Sequence, residues 1–262
     1  MKAMILAAGL GTRLRPLTDN RPKALVEVGG RTLLEITLSR LRKFGIGEVI
    51  INVHHFADMV ISHLKANSNF GMRIEISRED VLLDTGGGLK KAASFLNDSG
   101  GHSGKDAPFI LHNVDVISTI DLGRMVQLHA NNHALATLAV QERETSRYLL
   151  FDERRQLCGR RSTRGQAPEL IRSRRAWTLL QPRPAQQLQA WAFSGVHIIS
   201  PRIFSMMTED GAFSIIDSYL RLAAQNEKVL AFRADEYYWR DLGRPENITK
   251  AEQDLKDNLF SL

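Results

Sequence analysis

The sequence contains almost no cysteine: Cys158 is the only one in 262 residues. A single cysteine excludes an internal disulfide framework and a zinc site built from several cysteines. Long apolar runs are also missing, since no window approaches the roughly 20 residues that a membrane-spanning helix needs. The apolar start of the chain, Ala3–Ala8, is shorter than the core of about 7–15 residues in a signal peptide. We therefore expect a cytoplasmic protein with no membrane partner.

What the chain does contain is typical of a globular protein. Hydrophobic residues make up 43% of the sequence and charged residues 24%, enough apolar material to bury a substantial core. A length of 262 residues suits one α/β domain of ordinary size, or such a domain with one insertion.

The positive charge is concentrated in one segment. Residues Arg154–Arg183 contain nine arginines, no lysine and one acid, so the rest of the chain carries about −2 of the total +6. A general nucleic-acid-binding domain carries its basic residues across a folded face, so we expect no nucleic-acid partner. The segment itself can be a solvated hairpin, a wall around anionic substrates or a subunit contact.

Apolar segments with strand and helix patterns alternate along most of the chain. Such alternation predicts an α/β, Rossmann-like fold, with a mostly parallel sheet sandwiched by helices. Ligands of such sheets bind beyond the carboxyl ends of the strands. The predicted strands are Lys2–Leu6, Glu48–Val53, Met72–Ser77, Pro108–Leu111, Leu135–Val140 and Val229–Arg233. The predicted helices are Thr32–Phe44, Ala57–Ala66, Leu89–Leu96, Asp121–Asn132, Ser214–Gln225 and one from Pro245.

The alternation fails between Arg147 and Gln189. Short β-like pieces, Tyr148–Phe151 and Ala176–Leu179, lie there between turns rich in Arg, Gly and Gln. We interpret this stretch as an irregular, β-rich insertion, after which order returns at Ala190–Ser200. The chain is thus predicted to be a single domain, with a nucleotide-binding core (1–146), the insertion (147–189) and a sugar-side and C-terminal part (190–262).

A loop rich in glycine follows the first strand. Gly9 and Gly11 let backbone N–H groups approach a phosphate chain closely, and Arg13 adds a planar fork suited to phosphate oxygens. Lys23 supplies a second cation that can fold back to the same place. The loop is neither a dinucleotide fingerprint, which needs a third glycine, nor a P-loop, which needs Gly-Lys-Ser/Thr.

The longer string around this loop resembles the signature of the sugar-1-phosphate nucleotidyltransferase family. It reads L-A-A-G-L-G-T-R-L-R-P-L-T from Leu6, followed by R-P-K-A-L from Arg21. The resemblance implies that the loop wraps a triphosphate, which Arg13 and Lys23 neutralise, and that a second segment lies over the nucleoside. The implied nucleotide-binding residues are Leu6, Ala7, Ala8, Gly9, Gly11, Thr12, Arg13, Lys23, Asp84, Thr85, Gly86, Gly87 and Asn113.

Two aspartates match the metal-binding positions of that family. Asp115 follows the strand Pro108–Leu111, with Val114 in place of the family's glycine. Asp241 stands in W-R-D-L-G-R, which resembles W-x-D-x-G-T with Arg244 in place of threonine. Mg²⁺ commonly takes one or two carboxylates together with phosphate oxygens and water. We therefore expect Asp115 and Asp241 to bind Mg²⁺ and, with Arg13 and Lys23, to form the catalytic set.

The sugar side is less well marked. Phe193-Ser194-Gly195-Val196 resembles the family's F-x-G-I segment, which implies sugar contacts from Ser194 and Gly195, and Glu142 is a further candidate. The lysine that holds the sugar phosphate in several relatives has no clear match. Four arginines of the basic segment can replace it: Arg154, Arg155, Arg160 and Arg161.

The resemblance implies that the enzyme transfers a nucleoside monophosphate from an NTP, UTP or GTP, to a sugar 1-phosphate by in-line displacement. Asp84-Thr85-Gly86-Gly87-Gly88 looks most like the N-acetylmuramate-1-phosphate uridylyltransferase branch. A non-catalytic nucleotide-sugar sensor and a cytidylyltransferase acting on phosphocholine remain alternatives, and a homodimer is possible. An NAD-dependent dehydrogenase is disfavoured, since the second strand ends in Asn52-Val53 without the acidic residue that binds ribose.

Overall fold

The computed structural model describes residues 1–97, 107–163, 169–170 and 188–262. Its strands are β1 (Lys2–Leu6), β2 (Glu27–Val28), β3 (Arg31–Thr32), β4 (Glu48–Val53), β5 (Arg73–Arg78), β6 (Phe109–Asn113), β7 (Val116–Ser118), β8 (Ala136–Gln141), β9 (Arg147–Phe151), β10 (Leu157–Ser162), β11 (Glu169–Leu170), β12 (Gln189–Ile199), β13 (Val229–Arg233) and β14 (Trp239–Asp241). Its helices are α1 (Leu33–Lys43), α2 (Ala57–Ala66), α3 (Asp84–Lys91), α4 (Ala93–Asn97), α5 (Leu122–Asn131), α6 (Ile215–Ala224) and α7 (Pro245–Lys256).

The main sheet is mostly parallel, as the alternating pattern predicts. Strands β5, β4, β1 and β6 lie side by side and parallel. β12 is antiparallel to both β6 and β8, and β13 then runs parallel to β8. An antiparallel pair of strands, unlike a parallel pair, can be joined without a crossover helix. The α/β prediction is confirmed, and two strands, β10 and β12, run opposite to β6, which periodicity alone does not reveal.

Both faces of the sheet are covered, which explains the continuous apolar strands. In β1, Ala3 and Ile5 face one core together with the buried face of α1, while Met4 faces the second core, which includes α6. All three side chains are fully buried. Strands buried on both faces become apolar runs instead of alternating patterns, and this is the origin of the K-A-M-I-L sequence.

The described part of the insertion is an antiparallel hairpin with a register shift between Leu157 and Gly159, in agreement with the predicted β-rich insertion. β9 pairs with β10, and it also pairs with the N-terminal half of β12. At the turn, the Asp152 carboxylate accepts the backbone N–H groups of Arg154 and Gln156, at 2.9 and 2.8 Å. The predicted piece Tyr148–Phe151 is confirmed, whereas Ala176–Leu179 lies outside the described residues.

The glycine run lies inside a helix, not before one. We expected the helix to extend over Leu89–Leu96, but α3 begins at Asp84 and ends at Lys91, and α4 follows after Ala92. The difference arises because glycine is a poor helix former in isolation, and here close packing keeps the three glycines helical. Within the described part of the chain, no helix has the length and apolar character needed to cross a membrane.

Candidate active site

The loop after β1 and the residues after β6 meet because these two strands are neighbours. Leu6 is the register partner of Asn113, and the Val114 N–H donates to the carbonyl oxygen of Leu6 at 3.1 Å. Carboxyl ends of parallel strands share one edge of a sheet. The glycine-rich loop and Asp115 therefore lie at the same edge, as the sequence predicts.

The glycine-rich loop is folded tightly upon itself. Gly11 has φ +67°, and a β carbon there would lie 3.0 Å from Thr18 Cγ2 and 3.4 Å from Lys23 Cβ. The Thr18 hydroxyl donates to the carbonyl oxygen of Gly11 at 2.9 Å, and Leu14 is fully buried beneath the loop. Glycine is required at this left-handed turn, and the turn brings Lys23 back against the loop.

Lys23 and Asp115 form an ion pair. Each side chain is only 13% exposed, so the pair is largely shielded from solvent. A predicted triphosphate-binding cation and a predicted metal-binding carboxylate are thus placed in direct contact. The positive and negative groups that the family signature implies are assembled before any substrate arrives.

Asp241 reaches the same place on a short two-stranded ribbon made of β7 and β14. Asp241 pairs with Val116 in this ribbon, and the Leu242 N–H donates to the carbonyl oxygen of Asp115 at 2.7 Å. One carboxylate oxygen of Asp241 accepts the Gly243 N–H at 2.6 Å, which orients the side chain. The backbones of the two predicted metal ligands therefore occupy neighbouring positions.

The far end of this ribbon is anchored by Arg40 of α1, a residue that the sequence analysis did not single out. The Arg40 guanidinium donates to the Ser118 hydroxyl and, at 2.5 Å, to the carbonyl oxygen of Ile120. Burial lowers the pKa of Arg40 to about 10. Arg40 thus fixes the ribbon that carries both aspartates, although its helical context gave no signal of such a role.

The donor set at the ribbon fits a hard divalent cation. Asp115 and Asp241 offer carboxylate oxygens, and no cluster of three or more His, Cys, Asp or Glu side chains suited to a metal occurs among the described residues. A cation held by two carboxylates takes its other ligands from substrate oxygens and water, which is the usual Mg²⁺ arrangement. The carboxylates match Mg²⁺ better than they match zinc, which prefers Cys and His.

Arg13 lies beside Asp241 on the loop side. A β carbon on Gly243 would lie 3.1 Å from Arg13 Nη2 and 2.7 Å from Asp241 Oδ1. Gly243 therefore permits the guanidinium and the carboxylate to approach each other. The glycine of the W-x-D-x-G pattern, Gly243, is therefore explained by the lack of space for a β carbon.

A buried chain of hydrogen bonds joins the first loop to the second nucleotide segment. Asn52 Oδ1 accepts the Ala7 N–H at 2.7 Å, and Asn52 Nδ2 donates to Glu79 Oε1 at 2.8 Å. Glu79 Oε2 accepts the Leu83 N–H at 2.9 Å. Asn52 and Glu79 are 3% and 2% exposed. Sequence reasoning missed both residues, although a polar residue at the carboxyl end of an apolar strand was an available signal.

Packing accounts for the three glycines of α3. A β carbon on Gly86 would lie 2.3 Å from the Phe213 ring, one on Gly87 would lie 2.3 Å from the carbonyl oxygen of Gly211, and one on Gly88 would lie 2.8 Å from Glu79 Oε1. These contacts dock α3 against the segment before α6. The glycine run is explained without a nucleotide.

The two polar residues that precede the glycines are oriented differently. Thr85 Oγ1 accepts the Ile215 N–H at 3.0 Å, whereas Asp84 is exposed and has φ +56°. Nucleotide contacts from Asp84–Gly87 stay a prediction.

The predicted sugar-side residues occupy different environments. Gly195 has φ +77°, and a β carbon there would lie 3.0 Å from Asn113 Nδ2, so this glycine does border the site. The Ser194 hydroxyl is fully buried and donates to Gln141 at 3.4 Å, which leaves only the Ser194 backbone near the site. The Glu142 carboxylate is 78% exposed and pairs with Arg233 at 3.3 Å. Sugar contacts from these residues stay predictions.

An arginine that we did not single out lies on this side of the site. Arg143 Nη2 donates to the carbonyl oxygen of Phe193 at 2.7 Å, and its guanidinium carbon lies 3.8 Å from the centroid of the Trp239 ring. Burial lowers the pKa of Arg143, while the charge of Asp241 raises it. The sequence signal was weak, because Arg143 precedes the basic segment and follows a strand with no known motif.

Two of the four arginines predicted for the sugar phosphate have side-chain partners, and the other two make backbone hydrogen bonds. Arg160 forms an ion pair with Asp217 of α6, and Arg161 lies over the Tyr148 ring at 5.2 Å. The Arg154 N–H donates to Asp152, and the carbonyl oxygen of Arg155 accepts the Ala231 N–H. A role for these four residues toward a sugar phosphate stays a prediction.

Comparisons with known proteins find similar sequences over nearly the whole chain. Residues 2–258 match the sequence profile of the Nucleotidyl transferase family. The chain is 36% identical over 258 residues to N-acetylmuramate alpha-1-phosphate uridylyltransferase of Caulobacter vibrioides, covering 97% of both chains. It is 28% identical over 250 residues to a mannose-1-phosphate guanyltransferase of Debaryomyces hansenii, covering 95% of this chain and 62% of that one.

A solved structure supports the fold independently. HddC from Yersinia pseudotuberculosis, crystallised with GMP-PN, superposes with a TM-score of 0.72 at 22% identity, covering 97% of this chain and 99% of that chain. At this level of identity the similarity concerns the α/β fold alone.

Proposed function

The chain belongs to the nucleotidyl transferase family and transfers a nucleoside monophosphate from an NTP to a sugar 1-phosphate; on this premise we propose that UTP is the donor and N-acetylmuramate 1-phosphate the acceptor. The observation that carries the proposal is the 36% identity, over nearly the whole of both chains, to a uridylyltransferase acting on that sugar phosphate. The Asp84-Thr85-Gly86-Gly87-Gly88 segment, which resembles the same branch, supports it.

On the donor side, the residues of the first loop are arranged to receive a triphosphate. The turn at Gly11 and the 3-10 turn Thr12–Leu14 expose backbone N–H groups at the loop, and Arg13 adds a guanidinium beside them. Lys23 supplies a second cation from the ion pair with Asp115. Its ammonium can contact both Asp115 and a phosphate oxygen, because it has three donors.

Members of this family generally use a divalent metal, and we assign Mg²⁺ to the carboxylates of Asp115 and Asp241. Mg²⁺ bound there supplies positive charge at the point where two anionic reactants meet. Leu242 donates to Asp115 and Gly243 to Asp241, so the ribbon holds both residues in place. Arg40 anchors the other end of the ribbon through its hydrogen bonds to Ser118 and Ile120.

The reaction requires no protein nucleophile. An oxygen of the sugar phosphate forms a bond to the α-phosphorus of the NTP, while the bond from that phosphorus to the bridging oxygen breaks. The electron pair leaves with pyrophosphate. A phosphate monoester is already an anion at neutral pH, so no general base is needed. Arg13, Lys23 and the loop amides stabilise the charge on the departing pyrophosphate, and positioning of the two reactants supplies much of the remaining acceleration.

Guanylyl transfer to mannose 1-phosphate is the second candidate. It is favoured by the 28% identity to a mannose-1-phosphate guanyltransferase. The relatives named here act on sugar 1-phosphates, which favours a sugar acceptor over phosphocholine. The lower identity and the 62% coverage of that longer relative place this candidate second.

The test is a pyrophosphate-release assay with Mg²⁺, in which UTP, GTP, CTP, ATP and dTTP are each paired with several sugar 1-phosphates. We expect the highest kcat/KM for UTP with N-acetylmuramate 1-phosphate. A preference for GTP with mannose 1-phosphate would overturn the proposed specificity while leaving the reaction intact. Absence of pyrophosphate release from every pair would favour the sensor alternative.

The single-domain division, the cytoplasmic location and the homodimer stay predictions.

A further inference from the structure

The guanidinium of Arg143 is half-buried in the neighbourhood of Asp241. Among the described residues its recorded hydrogen bond is the one from Nη2 to the carbonyl oxygen of Phe193, and its Nε is buried without an acceptor. No carboxylate lies within ion-pair distance of it in the described chain. Since arginine has five N–H donors and the Nε of Arg143 is buried without a partner, the guanidinium has donors available for an anion.

The surroundings of Arg143 indicate which anionic group it can bind. It lies over the Trp239 ring, and the Trp239 Nε1–H donates to the carbonyl oxygen of Ser194 at 2.8 Å. Phe193 and Ser194 lead into Gly195, which borders Asn113. Arg143 is therefore built into the wall formed by β12 and β14, on the side away from the glycine-rich loop.

Arg13 and Arg143 come to the neighbourhood of Asp241 from different parts of the chain, the loop after β1 and the segment after β8. Arg13 approaches Asp241 across Gly243 from the loop side, whereas Arg143 is electrostatically coupled to the same carboxylate from the β12 side. Arginine side chains on both reactants can stabilise the charge that builds up where two phosphates meet. The loop, with Arg13, serves the triphosphate, and this leaves Arg143 for the second phosphate.

We infer that Arg143 binds the phosphate group of the sugar 1-phosphate, with the guanidinium fork donating to two of its oxygens. The inference rests on the proposed function, because it needs a sugar 1-phosphate as the acceptor. The guanidinium group packs over the Trp239 ring, and its Nη2 donates to the Phe193 carbonyl oxygen. These two contacts orient the guanidinium group before the substrate binds. Bidentate arginine–phosphate contacts are stronger and more specific than contacts from a lysine.

The test compares Arg143→Gln and Arg143→Lys with Arg73→Gln. Arg73 is a matched control, because it lies over the Phe95 ring at 5.9 Å and pairs with Glu48, but it stands on β5 at the opposite edge of the sheet. We expect Arg143→Gln to raise KM for the sugar 1-phosphate about 10- to 100-fold, the scale of a charge-assisted hydrogen bond, with KM for the NTP changed less than about twofold. Arg143→Lys should be intermediate, and Arg73→Gln should match the wild type.

A second comparison separates the phosphate from other anionic groups. N-Acetylmuramate 1-phosphate carries a carboxylate that N-acetylglucosamine 1-phosphate lacks, so both are assayed with each variant. Equal losses on the two substrates support binding of the phosphate, whereas a loss confined to the carboxylate-bearing sugar would overturn it. Equal increases in KM for NTP and sugar phosphate, or an unchanged KM for the sugar in folded Arg143→Gln, would also overturn it.

The failure of the proposed specificity is distinguishable from the failure of this inference. If the wild type prefers another sugar 1-phosphate, the proposed substrate is wrong, and the Arg143 comparison proceeds with the preferred one. If no pair turns over, calorimetric titration of glucose 1-phosphate into the wild type and the variants measures binding directly. Weaker binding to Arg143→Gln supports the inference, and equal binding contradicts it. Thermal unfolding of each variant shows whether it is folded.

Discussion

The ammonium of Lys23 is paired with the carboxylate of Asp115, and both side chains are only 13% exposed. The lysine comes from a 3-10 turn that follows the glycine-rich loop and the aspartate from the segment after β6, so the pair joins the proposed phosphate-binding loop to the proposed metal site. An ion pair in this position holds the two groups close while no substrate is bound. It also means that neither group is isolated, so a change to one of them alters the other.

Lys23→Met tests the catalytic half of this pair, because methionine keeps the length of the stem and removes the charge. We expect kcat to fall at least about 100-fold, the scale seen when one electrostatic stabiliser is lost. Lys65→Met on the exposed face of α2 is the control and should be near wild type. Pyrophosphate release at saturating Mg²⁺ measures the effect, and a near-normal kcat in folded Lys23→Met would refute the role of Lys23.

Asp241→Asn tests the metal assignment with an isosteric change. The amide can still accept the Gly243 N–H through its oxygen, so the fold should survive, but the charge that attracts Mg²⁺ is lost. We expect turnover to drop at least about 100-fold and the Mg²⁺ concentration for half-maximal rate to rise. Asp58→Asn, in an exposed pair with Arg78, provides the comparison. Wild-type magnesium dependence in Asp241→Asn would exclude Asp241 as a ligand.

Glu79→Ala tests the buried link between the two nucleotide segments. Removal of the carboxylate leaves Asn52 Nδ2 and the Leu83 N–H without their acceptor, and each unsatisfied buried donor costs about 1–3 kcal/mol. We expect lower stability and a higher KM for the NTP, because the loops lose their relative placement. Glu48→Ala, which breaks a surface pair with Arg73, should cost about 0–1 kcal/mol. The proposed link fails if the NTP KM of Glu79→Ala is unchanged.

Gly87→Ala tests whether packing, as distinct from flexibility, requires glycine in α3. The new β carbon would lie 2.3 Å from the carbonyl oxygen of Gly211 and 3.0 Å from Leu83 Cβ. Overpacking of this kind costs about 1–3 kcal/mol, so we expect a lower midpoint in chemical denaturation. Gly47→Ala is matched, since nothing lies within 4 Å of its β carbon. Equal stability of the two variants would contradict the steric explanation.

The pH dependence of stability should reflect the buried His197. Burial lowers the pKa of His197 to about 3, with a smaller contribution from His112, whereas a histidine in the unfolded chain titrates near 6.5. The unfolded state therefore binds the proton more readily, and stability falls as the pH drops below about 6.5. At pH 5 this one group removes about 2 kcal/mol.

Urea titrations at pH 7.5 and pH 5 measure this effect. His197→Gln can keep a hydrogen bond to the Tyr219 hydroxyl but does not titrate. We expect the difference in unfolding free energy between the two pH values to shrink by about 2 kcal/mol in this variant. An unchanged difference would show that His197 does not govern the acid response.

Much of the site could be predicted from the sequence because its parts are local. The glycine-rich loop, Lys23 and the segment around Asp241 are short strings in which each residue type has a chemical reason. The elements that carry them, such as β1, β4 and α2, have clear apolar patterns, and their predicted bounds agree with the structure.

The remaining features depend on which distant segments meet. β7 and β14 have three residues each, too few to show a periodicity, and they form only because they pair with each other. Asn52 and Glu79 look like ordinary polar residues until the sheet places them between the two loops. Arg143 stands out only through its contacts with Trp239 and Phe193, which lie far from it along the chain.

The sequence by itself therefore determined the short motifs, which are the glycine-rich loop and the two aspartate segments, and the order of strands and helices along the chain. Only the tertiary structure decided how these parts are held, through the ribbon anchored by Arg40, the reversed strand β12 and the stacked guanidinium of Arg143. The physical reason is that periodicity and short motifs record what each segment buries or binds, whereas sheet order and side-chain contacts are fixed by packing across the whole chain.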